Sequence, residues 1–102
     1  MKFKNFEVDI RMTDADVLER YEVMQNGITS VLNDELSKAK TASQLACGIR
    51  KIGSHVRTFV EECGGDYDKM FPKADIMDYF AFYKALSEQI KSTNLKSMIE
   101  QL

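Results

Sequence analysis

The sequence predicts an all-α protein, a three- to four-helix bundle with a short N-terminal β-strand or hairpin. Three observations carry that expectation. Apolar residues recur every three or four positions over two long segments, Val17 to Leu36 and Leu45 to Cys63. The second segment stops at Gly64-Gly65, and an acidic-aromatic connector follows, Asp66-Tyr67-Asp68-Lys69-Met70-Phe71-Pro72. A third segment then gathers Tyr79, Phe80, Phe82 and Tyr83. Spacing of three and four marks one face of a helix, and glycine just past such a stripe ends it.

With 102 residues, the chain is expected to be a single domain, 1–102. A core of that size is thin, so self-association would help it. The net charge of −2 gives no general attraction to nucleic acid or to an anionic membrane. No apolar run reaches the roughly 18 residues of a membrane span. The N-terminus, Met1-Lys2-Phe3-Lys4-Asn5-Phe6-Glu7, lacks the apolar centre of a signal peptide. A cytoplasmic location is therefore expected.

The first element is expected at about 2–11. Phe6, Val8 and Ile10 alternate with Glu7, Asp9 and Arg11, the period of a half-buried strand. Lys4-Asn5 between Phe3 and Phe6 fits a two-residue turn. So short an element must pack on the helices or pair with another chain.

A helix is expected over about 14–38. Thr13 can cap it, with Asp16 at the capping-box position. Its stripe is Val17, Tyr21, Met24, Ile28 and Val31, continued by Leu32 and Leu36. Gly27 costs about 1 kcal/mol in that interior.

The next helix is expected over about 43–63, capped by Thr41 or Ser43. Its stripe is Leu45, Ile49, Ile52, Val56, Phe59, Val60 and Cys63, flanked by Gly48 and Gly53. Such small flanking residues allow another helix to approach closely. One residue of Gly64-Gly65 is expected in the left-handed region.

Asp75 is placed to cap a helix over about 75–92. On a wheel, Ile76, Tyr79, Phe80, Phe82, Tyr83, Leu86 and Ile90 span an arc of roughly 160°. A helix packed on one side needs only about 100°. This helix is therefore central, or it touches a partner. Ser92-Thr93-Asn94 is a weak break before a last helix over about 94–101, which carries Leu95, Met98 and Ile99, with Leu102 beyond.

Little in the chain suggests bond-making chemistry. His55 is the sole histidine, and it has no cysteine or carboxylate at zinc-ligand spacing. Cys47 and Cys63 lie roughly 24 Å apart on one helix, beyond disulfide reach, which suits a reducing compartment. Neither has a fixed acid–base partner for nucleophilic work. Asp66-Tyr67-Asp68 fails as a calcium loop, because Phe71 stands where the loop needs glycine and Met77 where it needs glutamate. Gly64-Gly65 follows a helix, not a strand, and no lysine-serine or lysine-threonine pair comes after it, so it is no phosphate loop.

From Leu36 to Val60 there is no acid, while Lys38, Lys40, Arg50, Lys51 and Arg57 are present. Arg50 and Arg57 fall on one flank of the helix and Lys51 and His55 on the other, so no single basic face forms. Nucleic acid is disfavoured accordingly. The candidate protein-interaction residues are Tyr79, Phe82 and Leu86 of the broad aromatic arc, together with Leu95, Met98, Ile99 and Leu102 of the C-terminal patch. That patch serves either subunit contact or packing within the chain.

The order of signals resembles a known family. A short strand leads into Thr13-Asp14-Ala15-Asp16 and the Glu19-Arg20-Tyr21-Glu22 run. Phe59, Glu61-Glu62, Gly64-Gly65 and Met70-Phe71 follow, then an aromatic helix. This resembles small helical proteins of unassigned function encoded among the tail genes of phages and prophages of Gram-positive bacteria. Members often show a glycine elbow, a hydrophobic-Phe-Gly step and an Ala-Phe-x-x-Phe helix. Here Pro72 replaces that glycine, and Phe80-Ala81-Phe82-Tyr83 stands where the aromatic pattern would be. The resemblance spans nearly the whole chain, but its motifs are structural.

The resemblance implies a role in virion morphogenesis, as a tail assembly chaperone that keeps the tape-measure protein soluble. The expectation is a non-enzymatic homo-oligomer in the bacterial host cell, without cofactor or metal, that binds tail proteins. The alternative is a prophage DNA-binding or transcription-modulating protein.

Overall fold

Each long helix begins where a side-chain oxygen takes up free backbone N–H groups. The computed structural model describes residues 2–3, 6–7, 10–93 and 100. Helix α1 spans Ala15–Asp34, α2 Ala42–Glu62, α3 Tyr67–Met70 and α4 Ile76–Thr93. Asp14, not the expected Thr13, caps α1; its carboxylate accepts from the N–H groups of Asp16 at 2.8 Å and Val17 at 3.3 Å. Thr41 and Gln44 form a reciprocal capping box on α2. Asp75 accepts from the N–H of Met77 at 2.9 Å at the start of α4.

The end of α2 follows from two glycines. Gly64 has φ +85°, which costs a side-chain-bearing residue energy and glycine nothing. The Gly64 N–H reaches the Glu61 carbonyl at 3.0 Å, and the Gly65 N–H reaches that of Val60 at 2.8 Å. This paired pattern satisfies carbonyls that the helix end would otherwise leave open.

Helix α1 ends four residues short of expectation. It gives way to a 3₁₀ turn at Leu36–Lys38. The short helix α3 falls in the connector, where no helix was expected. At the N-terminus, Lys2–Phe3 and Phe6–Glu7 make a two-residue antiparallel pairing, shorter than an ordinary strand. The strand or hairpin expected over 2–11 is not shown: residues 10 and 11 belong to no strand, and Val8 lies outside the described residues. The helix expected over 94–101 also falls outside them, apart from residue 100.

α1 and α2 run antiparallel. Arg20, Gly27 and Glu35 of the α1 side meet Glu62, His55 and Lys51 of α2 in reverse order. The expected stripe of α1 is buried at Val17, Tyr21, Met24, Ile28 and Val31. On α2, Ile52, Val56, Phe59 and Val60 are buried, whereas Leu45 is 46% exposed. Gly48 and Gly53 do allow close approach. A Cβ on Gly48 would meet the Leu36 side chain, and one on Gly53 would sit 2.6 Å from the Tyr79 hydroxyl.

The connector folds inward. Met70 and Phe71 are buried, at 2% and 3% exposure. The Phe71 ring lies 5.6 Å from Phe3, 5.2 Å from Tyr67, 5.3 Å from Tyr79 and 5.5 Å from Phe82, between centroids. Tilted and edge-on pairs at these distances add attraction beyond the area buried. On the far side of α4, Tyr83 stacks on Tyr21 of α1 at 5.5 Å. The Tyr21 hydroxyl pairs with Ser87, and Gln25 donates to the Tyr83 hydroxyl. α4 thus lies against both α1 and α2.

Phe71→Ala would leave a void where four rings meet. The expected loss is about 3–5 kcal/mol of unfolding free energy, read from urea denaturation monitored by circular dichroism. A loss under about 1 kcal/mol would mean that the ring is not packed in the folded chain.

Candidate functional site

The aromatic arc of α4 divides into two faces. Tyr79, Phe82 and Leu86, expected as interaction residues, are at 1%, 0% and 0% exposure. They are core residues, and a partner cannot reach them in the folded chain. Over Tyr79 and Phe82 lies Phe71, whose ring packs on both from the connector. The other expected residues, Leu95, Met98, Ile99 and Leu102, lie outside the described residues. What α4 does expose is Met77, at 71%, and Phe80, at 36%. They stand three positions apart and so share one outward strip.

A second surface lies between α2 and the connector. Arg57 carries it. Its guanidinium pairs with Asp68 at 2.8 Å and lies 4.6 Å above the Tyr67 ring. Beneath it, over Gly53, the hydroxyls of Tyr67 and Tyr79 meet at 2.6 Å. Burial, with the Tyr67 hydrogen bond second, holds the Tyr79 phenol well above its ordinary value. It stays protonated and neutral, and the pair serves as a half-buried hydrogen bond. The basic stretch of α2 is partly matched by acids: Lys51 pairs with Glu35, and Arg57 with Asp68 and Glu61.

The third surface is a groove of about 460 Å³ between α1 and α2. Met24 and Phe59 form its floor. Val23 stands on its α1 rim and Thr58 on the α2 side. His55 closes one end, its ring set against Gly27, where a Cβ would come within 2.5 Å. That contact explains a glycine in the middle of α1. At the other end Arg20 crosses the groove. It donates to the Glu62 backbone carbonyl at 3.0 Å and lies 3.6 Å from the Glu62 carboxylate. Asp16 and Glu19 complete the α1 wall.

Sequence reading missed this groove, although α1 held a signal. Asp16, Glu19, Val23 and Gly27 recur at helical spacing along one flank of the apolar stripe. A valine there, beside a glycine, has no core to serve.

The cysteines do not join any of these surfaces into a reactive site. Cys47 is exposed and Cys63 is half-buried. Burial raises the Cys63 thiol, with the Arg20 guanidinium opposing it. A raised thiol is a poor nucleophile. Among the described residues no group of three or more His, Cys, Asp or Glu side chains is placed to hold a metal ion. Among them, too, no helix is long and apolar enough to cross a membrane. Comparison with protein-family models, with curated proteins and with solved structures returned no match.

The Tyr79 phenol gives a pH prediction with a definite sign. A phenol raised on folding stabilises the fold fully below the unfolded value of about 10 and progressively less above it. Stability should therefore fall as the pH rises past about 10. Tyr79→Phe should flatten that fall relative to the native chain, in urea denaturation repeated across the alkaline range. An unchanged slope in the variant would show that Tyr79 does not carry the linkage.

Proposed function

We propose that the chain is a non-enzymatic, self-associating assembly factor of the tail-assembly-chaperone type. It binds the tape-measure protein of a phage or prophage tail in the bacterial host cytoplasm. The supporting observation is the double-sided apolar character of α4. One face is spent in the core on Tyr79, Phe82 and Leu86, and Met77 with Phe80 still faces outward. An exposed apolar strip beside a satisfied core is where a partner gains most from burial. A factor that shields a long helical client needs such a surface, and it needs no bond-making site. The client's identity comes from the family resemblance of the glycine elbow, Met70-Phe71 and the aromatic helix, which is analogy of arrangement.

The test is co-expression with the tape-measure protein of a tail gene module. The expected result is a soluble complex that survives high salt, as apolar association does. Replacing Met77 and Phe80 together by glutamine should return most of the client to the insoluble fraction while leaving the variant itself folded. Absence of a complex would overturn the proposal. So would tight binding to duplex DNA that weakens steeply with salt, the signature of phosphate contacts.

A further inference from the structure

We propose that the α1–α2 groove docks a helical segment of a partner protein, one that carries an aliphatic side chain flanked by lysine or arginine. Three features of the groove point to that chemistry. Its floor is closed by Met24 and Phe59, 2% and 1% exposed, so an occupant rests on the rim. Its rim holds Val23, 68% exposed, which a docked side chain would cover. Its charge is acidic: Asp16, Glu19 and Glu62 face one arginine, Arg20, which is already tied to Glu62. Among the described residues neither Asp16 nor Glu19 has an ion-pair partner. An incoming cation would find both of them open.

The geometry selects a helix. Two antiparallel helices leave a furrow into which the side-chain ridge of a third can settle. At about 100° per residue, Asp16, Glu19 and Val23 point roughly opposite to Tyr21 and Gln25. Tyr21 and Gln25 are the residues that hold α4. A docked helix would therefore add a layer on α1 and α2 without displacing α4. This surface is separate from the Met77–Phe80 strip, so the chain could engage two segments at once.

The test uses the full chain and a fluorescent helical leucine–lysine peptide as probe, with its leucine–glutamate counterpart as control. Fluorescence anisotropy should show binding of the basic peptide and not of the acidic one. Val23→Ala should weaken it about tenfold, the value of two methyl groups covered on docking. Glu19→Lys should weaken it by about the same factor at low salt and less at high salt. Glu88→Lys on α4 makes the same change in net charge away from the groove and should leave binding unchanged. Glu19, Val23 and Glu88 are all exposed, so the variants should fold as the native chain does. The proposal is overturned if neither peptide binds, if the acidic peptide binds as well, or if Glu88→Lys costs as much as Glu19→Lys. It is overturned equally if Val23→Ala has no effect. A chain that binds the basic peptide here yet fails to hold the tape-measure protein would keep this inference and sink the chaperone proposal.

Discussion

Four aromatic rings surround Phe71, and they come from separate parts of the chain: Phe3 from the N-terminal pairing, Tyr67 from α3, Tyr79 and Phe82 from α4. For the ring to reach them, the chain must reverse directly after α2. The left-handed Gly64 performs that reversal. One turn of α3, capped by Asp66, then brings Met70 and Phe71 round to face inward. Pro72 cannot supply an N–H to continue α3. Elbow, N-terminal pairing and α4 thus meet on a single inserted side chain, and Phe3 also packs directly on Phe82. The same insertion covers Tyr79 and Phe82, while Met77 and Phe80 face outward.

Two glycines complement that insertion. Gly53 sits under the Tyr67–Tyr79 hydroxyl pair, and Gly27 sits under the His55 ring. Each weakens its own helix by about 1 kcal/mol relative to alanine. Each also permits an approach that a methyl group would block. In both places a large, partly polar side chain comes close against a helix backbone, the His55 ring at Gly27 and the tyrosine hydroxyls at Gly53. The penalty in propensity is offset by packing, which is why both glycines sit inside helices that otherwise read as continuous.

Much of the helical framework was legible in the sequence because it repeats. The stripe from Val17 to Val31, the core positions from Ile52 to Val60, and the caps at Thr41 and Asp75 rest on local patterns. The glycine stop at Gly64 does too. What stayed hidden depends on single events. Thr13 and Asp14 both have capping oxygens, and only the backbone path decides between them. α3 is four residues long and has no period to read. The arc of α4 read as one broad apolar surface, and the packing that turns Tyr79 and Phe82 inward involves Phe71, a residue on another element. The α1–α2 groove was hidden for a related reason: half of its wall lies on each helix, so neither stripe shows it alone.

The groove and the core share residues, and this bears on how firmly the groove is shaped. Phe59 lines the groove floor and also packs edge-on against Phe82, 6.1 Å away between centroids. Met24 is likewise a core residue and a floor residue. The floor is therefore held by the same contacts that hold α4 in place. A surface built this way is ordered before anything binds to it, so docking forfeits little side-chain freedom there. The rim is different. Val23, Asp16 and Glu19 are exposed and can adjust to an occupant. Over that fixed floor Val23 offers the aliphatic contact that positions an incoming helix, while the carboxylates select its charge.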